Sequence, residues 1–504
     1  LSCEIHDGET VLSALTRRGA AVSAPCGGRG LCGKCRVTLL EGRALVKGSG
    51  PPSGVEETEV KPGAVFLSCR GRVLSDCSIA LPDENLVETE VLAATGGRAP
   101  RRAGAAIDIG TTTVSAALIN LDTGETLETA SALNAQRVFG ADVMSRIGAA
   151  REGRTGELFS AVNRQIEGIL RGFIEKWALS SIEQCTVSGN TTMLHLFANT
   201  DPSGMGEVPF TPVFLEERRF KGGELALSAE TITLLPGISA FVGADIVSGL
   251  AALDILNGEG SSFLVDIGTN GEMALFQREL PGRAGRLLCC STAAGPCFEG
   301  AEISCGMGAL PGAINKISLK DDAAGGAPGG ELVISTLGKL PPRGICGAAL
   351  IDAVAVMKKL NAIDESGALA DQYAERGFPI AGDISIINRD VRQFQLAKSA
   401  VLSGITILCR RAGLNAGELG AVYIAGGFGF FIDKENAVTA GLLPPEFASG
   451  KTAVCGNLSL TGAVQSLTDR DFTRRCGEIA ARSETVELAA DPEFMEIFAE
   501  NMYF

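Results

Sequence analysis

Over the first 92 or so residues the apolar positions come in short runs. Val11, Leu12 and Leu15 recur at helical spacing within Thr10 to Gly19, which predicts a helix. Cys35 to Leu40 and Ala64 to Arg70 read as strands, and Gly48 to Val60, rich in Pro, Gly and Glu, reads as loop. Residues 93–103 are small, basic and Gly/Pro-containing, the composition of a short linker. From Gly104 onward the pattern changes to apolar strands alternating with amphipathic helices, the α/β signature. A repeat lies inside it. Ala106-Ile107-Asp108-Ile109-Gly110-Thr111 is echoed by Leu264-Val265-Asp266-Ile267-Gly268-Thr269. Each copy is followed by a second apolar segment, Val114 to Leu121 and Glu272 to Phe276. A strand, a glycine turn and a strand occurring twice predict two related lobes, approximately 104–255 and 256–504. Ala421 to Phe431 is a further strand running into a glycine turn.

Composition narrows the picture. A chain of 504 residues is too long for one hydrophobic core, which agrees with an N-terminal unit over 1–92 and a larger one over 104–504. No apolar run reaches the ~18 residues of a membrane helix. Leu1-Ser2-Cys3-Glu4 does not open a basic-then-apolar signal peptide, so a cytoplasmic location and no membrane partner are expected. The net charge of −15 repels nucleic acid and anionic lipid, which excludes nucleic acid as an expected partner. Fifteen cysteines, an odd number in a long chain, do not read as a disulfide framework. Metal binding plus buried thiols is the better reading. Many of the 64 glycines lie in short loops between apolar strands, where backbone approaches a ligand closely.

Three thiols fall within ten residues in Cys26-Gly-Gly-Arg-Gly-Leu-Cys32-Gly-Lys-Cys35, and a fourth follows in Phe66-Leu-Ser-Cys69. A 2Fe–2S cluster needs four thiolates, most of them from a loop that bends tightly around one side. Gly27, Gly28, Gly30 and Gly33 permit that bend. Structural zinc would pair two Cys-x2-Cys knuckles or include histidine, whereas this segment has one knuckle and only His6 nearby. Cys77 rivals Cys69 as fourth ligand; Cys69 is preferred because it follows a strand at the expected separation, and Cys3 and Cys77 read as core thiols. The five-residue gap between Cys26 and Cys32 resembles 2Fe–2S ferredoxins of the adrenodoxin type, which implies an α+β ferredoxin-like β-grasp domain and the metal ligands Cys26, Cys32, Cys35 and Cys69.

Asp108-Ile-Gly-Thr-Thr-Thr113 has the parts of a phosphate loop. An acidic residue at a strand end can hold hydrated Mg²⁺, the glycine lets the turn approach phosphate, and threonine hydroxyls and amides donate to it. Asp266-Ile-Gly-Thr-Asn-Gly-Glu272 would face it across a cleft, and Ala425-Gly426-Gly427-Phe428-Gly429 suits close approach to adenosine. No Gly-x4-Gly-Lys-Ser/Thr motif occurs, so the P-loop class is not supported. The three elements resemble the phosphate-one, phosphate-two and adenosine motifs of the acetate and sugar kinase, heat-shock ATPase and actin superfamily. The implied fold is a two-lobed α/β actin-like (ASKHA, ribonuclease H-like) ATPase domain.

Further stretches sharpen the resemblance: Asn134-Ala-Gln136 with Gly140-Ala-Asp-Val-Met-Ser-Arg-Ile147, Ser188-Gly-Asn-Thr-Thr-Met193, Phe241-Val-Gly-Ala-Asp245, Gly295-Pro-Cys-Phe-Glu-Gly-Ala301 and Tyr423-Ile-Ala-Gly-Gly-Phe-Gly429. Together they resemble the ATP-dependent reductive activators of corrinoid proteins, which carry an N-terminal 2Fe–2S domain. The best-known members have a longer linker and an extra small domain between the two parts, for which this chain has no room. The resemblance implies reduction of Co(II) to Co(I) by a low-potential electron from the cluster, with ATP and Mg²⁺ as further cofactors. It implies as partners a corrinoid protein of a methyltransferase system and an upstream low-potential electron donor, and it implies a homodimer. By the same resemblance Asp108 and Asp266 position Mg²⁺ and water. Gly110, Thr111, Thr112 and Thr113, with Gly268, Thr269, Asn270 and Gly271, bind phosphates, Gly426, Gly427, Phe428 and Gly429 flank adenosine, and Asn190 and Glu299 line the cleft. His195 reads as a packed helix histidine rather than a cobalt ligand or acid/base group. A small-molecule kinase with a redox-sensing ferredoxin domain, and a non-catalytic nucleotide clamp, are the alternatives, since fold does not settle function.

Overall fold

The computed structural model describes all residues except 1–4, 6–8, 18–21, 23–34, 48–56, 82–99, 280–284, 321–330, 427–431 and 449. In the N-terminal unit helix α1 (Val11–Arg17) accompanies strands β1 (Arg36–Glu41), β2 (Ala44–Lys47), β3 (Glu57–Val60), β4 (Val65–Leu67), β5 (Gly71–Val73) and β6 (Ser78–Ala80). They form two three-stranded antiparallel sheets, β4-β1-β6 and β3-β2-β5. Val11, Val37, Leu39, Ala44 and Phe66 make the core between them. The loop expected over 48–60 needs correcting: Glu57–Val60 pairs residue for residue with Ala44–Lys47. Its side chains are almost all exposed, so no apolar alternation marks this edge strand. Most of the expected linker lies outside the described residues, and its last residue, Ala103, already begins the next strand.

The first lobe contains β7 (Ala103–Ile109), β8 (Thr113–Asn120), β9 (Thr126–Leu133), α2 (Val143–Ala149), α3 (Thr155–Trp177), β10 (Ile182–Gly189), α4 (Thr191–Phe197), β11 (Arg218–Lys221), β12 (Ala229–Leu234) and α5 (Ala244–Ala252). Its sheet has the order β11-β12-β10-β7-β8-β9. The second lobe opens with β13 (Ser262–Ile267), β14 (Gly271–Gln277) and β15 (Arg286–Thr292). An insertion follows: β16 (Ala313–Leu319), β17 (Leu332–Thr336), β18 (Gly344–Ile345), α6 (Gly347–Lys359), β19 (Phe378–Ala381) and β20 (Ile384–Ile386). The lobe closes with α7 (Asn388–Ala412), β21 (Ala421–Ala425), α8 (Lys434–Thr439), β22 (Thr452–Gly456), α9 (Leu458–Thr468), α10 (Phe472–Arg482), β23 (Ser483–Thr485) and α11 (Phe494–Glu500). In the order β22-β21-β13-β14-β15-β23 the first five strands repeat β12-β10-β7-β8-β9, while the sixth strand, β11 in one sheet and β23 in the other, sits on opposite edges. In each, the Asp-Ile-Gly-Thr strand has its hairpin partner on one side and a parallel strand, β10 or β21, on the other. Among the described residues no helix is long and apolar enough to cross a membrane.

Burial on both faces explains why β7 reads as an unbroken small-apolar run. Ala105, Ile107 and Ile109 join the core under α3, which contributes Leu158, Val162, Ile166, Leu170 and Phe173. Ala106 packs on the other face with Ala463 and Leu467 of α9. Helix α9 falls within the second lobe's sequence, between β22 and β23, yet lies on the first sheet. It crosses α5 closely: a Cβ on Gly462 would stand 2.5 Å from the Ser248 carbonyl oxygen.

The two parallel strands end in matching glycines. Gly189 (φ +152°) and Gly426 (φ +132°) are where added Cβ atoms would lie 2.6 Å from the Ile109 oxygen and 2.2 Å from the Ile267 oxygen. Gly189→Ala and Gly426→Ala are each expected to lower stability by about 2–4 kcal/mol, seen as a lower urea midpoint. Gly172→Ala on α3, where nothing lies within 4 Å, should instead gain up to about 1 kcal/mol. Equal midpoints for all three would contradict this packing.

Candidate functional site

The two Asp-Ile-Gly-Thr turns close in the same manner. The Gly110 amide donates to the Thr113 carbonyl and the Gly268 amide to the Asn270 carbonyl, both at 2.9 Å. Ile109 pairs with Val114 across the first turn and Ile267 with Gly271 across the second, so the first loop is one residue longer. Its carbonyls are occupied from within the first lobe. Asn134 Nδ2 donates to the Gly110 oxygen at 2.8 Å, and the Asn134 amide donates to the Thr112 oxygen at 2.7 Å. Arg146 Nη2 donates to the Thr111 oxygen. Asn190 caps α4 by accepting from the Met193 amide, and its Nδ2 donates to Thr111 Oγ1 at 3.0 Å. Arg146 is fully buried and also donates to the Gly140 carbonyl at 3.1 Å. Burial, then the charge of Arg137, lowers its pKa to about 9.

Two sets of contacts join the lobes at these loops. Thr112 Oγ1 lies 3.1 Å from Thr269 Oγ1, and both hydroxyls donate to Glu299 Oε2. Asp108 accepts from Asn457 Nδ2 and Ser459 Oγ, both at 2.7 Å, from the start of α9. Asn457 is also the N-cap of that helix, accepting from the Leu460 amide at 2.8 Å. Ser459 Oγ is 2.9 Å from Ser188 Oγ, which is 2.9 Å from Ser248 Oγ on α5. A hydroxyl ladder thus runs from the first carboxylate to the helix crossing.

Negative charge dominates this cleft. Burial raises the pKa of Asp108, and the bonds from Asn457 and Ser459 only partly offset it. Burial and the charge of Asp108 push Asp245 up to about 7 against the opposing amide of Ile246. Burial, then Asp245, Asp108 and Glu299, raise Asp266 well above the carboxylate range. Glu272 rises for burial first and the charges of Asp245 and Asp266 next, although Asn270 Nδ2 donates to it at 3.0 Å. Among the described residues no three carboxylates converge closely enough to hold a metal ion by themselves. A bound dication would lower these pKa values again.

Asp108, Thr111, Thr112, Asn190, Thr269, Asn270, Glu299 and both turn glycines therefore stand around one cleft. Thr113 and Gly271 are the first residues of β8 and β14. Gly426 lies beside Ile267, while Gly427, Phe428 and Gly429 lie outside the described residues. Asp245, Glu272, Arg146, Asn134, Asn457 and Ser459 also belong to the site and were not singled out from the sequence as site residues. Gly456-Asn457 following an apolar strand was a legible helix-start signal.

In the N-terminal unit the antiparallel pairing of Arg36 with Leu67 sets Cys35 beside the turn that carries Cys69. The Ser68 amide donates to the Cys35 carbonyl at 2.8 Å. The two sulfurs, both buried, lie 3.2 Å apart, beyond the ~2.0 Å of a disulfide. Cys77 packs against the other small core, with Val37 and Phe66. Cys26 and Cys32 lie outside the described residues.

A thiol pair on a ferredoxin-type sheet, followed by duplicated phosphate turns facing each other across a cleft, defines an iron–sulfur protein fused to an ASKHA-type nucleotide-binding domain. Family models agree with this class. The 2Fe–2S iron–sulfur cluster binding domain matches 1–74, the RACo middle region 103–257, and the C-terminal ASKHA domain of RACo 260–504. The corrinoid activation enzyme RamQ of Eubacterium limosum is 33% identical over 432 residues, 80% of this chain and 70% of RamQ. The [Co(II) methylated amine-specific corrinoid protein] reductase of Methanosarcina barkeri is 30% identical over 75% of this chain and 72% of its own length. A solved reductive activator for corrinoid, iron-sulfur protein superposes with TM-score 0.73 at 27% identity, covering 99% of this chain and 96% of that one. The chain belongs to the RACo family of reductive activators of corrinoid proteins. What the family's models name the middle region is the first ATPase lobe.

His195 is packed, as its sequence context implied. Its Nδ1 bonds the Thr191 carbonyl at 2.7 Å, Nε2 accepts from the Val213 amide at 3.0 Å, and the ring stacks on Phe214 at 4.1 Å. Burial lowers its pKa from 6.5 to about 4, so the neutral ring is the native form. The unfolded chain binds this proton first as pH falls. The contribution is therefore complete above pH 6.5 and lost progressively toward pH 4, by roughly 3 kcal/mol in all. Urea midpoints of wild type and His195→Gln should converge over that interval. A pH-independent gap would contradict the neutral, acceptor role of Nε2.

Proposed function

We propose that this protein uses ATP to drive one electron from a 2Fe–2S cluster to the cobalt of a corrinoid protein, returning inactive Co(II) to Co(I). The observation that carries the reading is the combination in one chain of the Cys35–Cys69 pair with a two-lobed cleft whose phosphate loops meet at Thr112 and Thr269. The names of the relatives, which act on corrinoid proteins, supply the acceptor class.

Cys26, Cys32, Cys35 and Cys69 would hold the cluster, and of these Cys35 and Cys69 lie side by side with their sulfurs 3.2 Å apart. The cluster would supply a one-electron reductant; for reference, 2Fe–2S centres of plant-type ferredoxins sit at about −400 mV. Each ~59 mV of uphill one-electron transfer costs a factor of ten in equilibrium, so transfer to a lower-potential acceptor needs a second source of free energy. ATP supplies it. Asp108 and Asp266 would position Mg²⁺ and water, and Gly110 to Thr113 with Gly268 to Gly271 would bind the phosphates. Gly426 to Gly429 flank the adenosine, and Asn190 orients Thr111. Closure of the two lobes around nucleotide shifts the population of the partner-bound state. The upstream donor is a low-potential electron carrier, and the working location is the cytoplasm. The protein acts as a homodimer.

The deciding experiment is anaerobic. Reduced protein is mixed with a Co(II) corrinoid protein of a methyltransferase system, with and without ATP, and Co(I) absorbance is followed. ATP-dependent Co(I) formation is expected; unchanged spectra with several such partners would sink the reading. Cys69→Ser should lose the visible absorbance and the iron of the cluster, and Cys77→Ser should keep both; the reverse result would move the fourth ligand to Cys77. Asp108→Asn should retain the cluster spectrum while ATP-dependent Co(I) formation falls on the order of 100-fold.

A further inference from the structure

Glu299 sits in a turn built to hold it still. The 3-10 turn Pro296–Glu299 lies between Gly295 (φ +80°) and Gly300 (φ +77°), and a Cβ on Gly300 would stand 2.2 Å from the Met307 oxygen. Cys297 and Phe298 anchor the turn in the core, with the Phe298 ring 5.9 Å from that of Phe394. From there one carboxylate oxygen accepts from Thr269 of its own lobe and Thr112 of the other. A threonine hydroxyl carries a single proton. While both protons point at Glu299, neither is available to a phosphate oxygen.

We propose that Glu299 is a latch that competes with the nucleotide's phosphates: carboxylate and phosphate exchange on the same two hydroxyls, and the exchange breaks the one hydrogen bond by which Glu299 ties the first lobe's loop to the second lobe. This rests on the reading of the cleft as an ATP site and adds how its two lobes sense the ligand. Both competitors are anions, and the buried guanidinium of Arg146 lies behind the same loop on the Thr111 carbonyl, so an anion at Thr112 faces positive charge in either state. Glu299 is thereby a positioning residue that acts through the two threonines.

The test is calorimetric titration of the intact, cluster-loaded protein with the non-hydrolysable analogue AMP-PNP and Mg²⁺. Wild type, Glu299→Gln, Thr112→Val and the double variant are compared, with Glu299→Asp as a second probe whose shorter side chain releases at least one hydroxyl. Glu299→Gln is expected to bind about tenfold tighter than wild type, because a neutral amide oxygen is the weaker acceptor. Glu299→Asp should shift affinity in the same direction. Thr112→Val should cost more affinity in the Glu299→Gln background than in wild type, since in wild type part of that hydroxyl's bond to phosphate is offset by loss of the carboxylate. Weaker binding by Glu299→Gln and Glu299→Asp would overturn the latch, as expected of a plain nucleotide ligand. Additive effects in the cycle would overturn it too, since simple charge repulsion leaves the two sites independent. Absence of AMP-PNP binding by wild type would instead overturn the ATP-site reading, and the latch with it.

Discussion

Crowding carboxylates into a low-dielectric cleft is costly, and much of the ATPase domain is arranged around that cost. Burial raises the pKa of Asp108, Asp245, Asp266 and Glu272 alike, and neighbouring charge adds to it at three of them: Asp108 acts on Asp245, Asp245 and Asp108 on Asp266, and Asp245 and Asp266 on Glu272. The protein offsets part of the cost with neutral donors. The N-terminal turn of α9 brings Asn457, Ser459 and the positive end of its dipole to Asp108, and Asn270 serves Glu272. The remaining repulsion favours a cation at the cleft.

The same constraint accounts for where the lobes are tied. Repulsion alone would part the loops, yet Thr112 and Thr269 meet on Glu299, and α5 crosses α9 close enough that Gly462 has no room for a side chain. The two ties differ in kind. The helix crossing is packed backbone against backbone and holds its position. The threonine–carboxylate contact consists of hydrogen bonds between polar groups at the ligand site and is open to exchange. A hinge needs one of each: a fixed pivot and a contact that a ligand can replace.

Duplication made the site economical without making it symmetric. Gly189 and Gly426 solve one problem twice, clearing a carbonyl so that the chain leaves the sheet beside each phosphate turn. The first loop, though, is a residue longer and is held from behind by Asn134, Asn190 and Arg146. The second loop is shorter and backed by Asn270 and Glu272. The first loop is thus braced by cationic and amide donors, whereas the second has its own Asn270 bonded to the acid Glu272.

The local sequence determined a good deal. Tight glycine turns after apolar strands, the repeated Asp-Ile-Gly-Thr and the Cys-x5-Cys-x2-Cys run are short-range patterns, since backbone geometry and thiol chemistry restrict which residues serve there. They sufficed for the ferredoxin and ATPase classes, and the turn residues they pointed to, Asp108, Thr112 and Thr269, stand at one cleft in the fold. The edge strand at Glu57–Val60 was illegible because an exposed strand carries no apolar period. Only tertiary structure decided that α9 returns to the first sheet, that Arg146 ends beneath the Thr111 carbonyl and that Glu299 bridges Thr112 to Thr269. Those partners stand 35, 187 and 30 positions apart in the chain. Hydrophobic period and turn chemistry describe each segment's own preferences, whereas which polar groups share a buried space follows from how the segments pack.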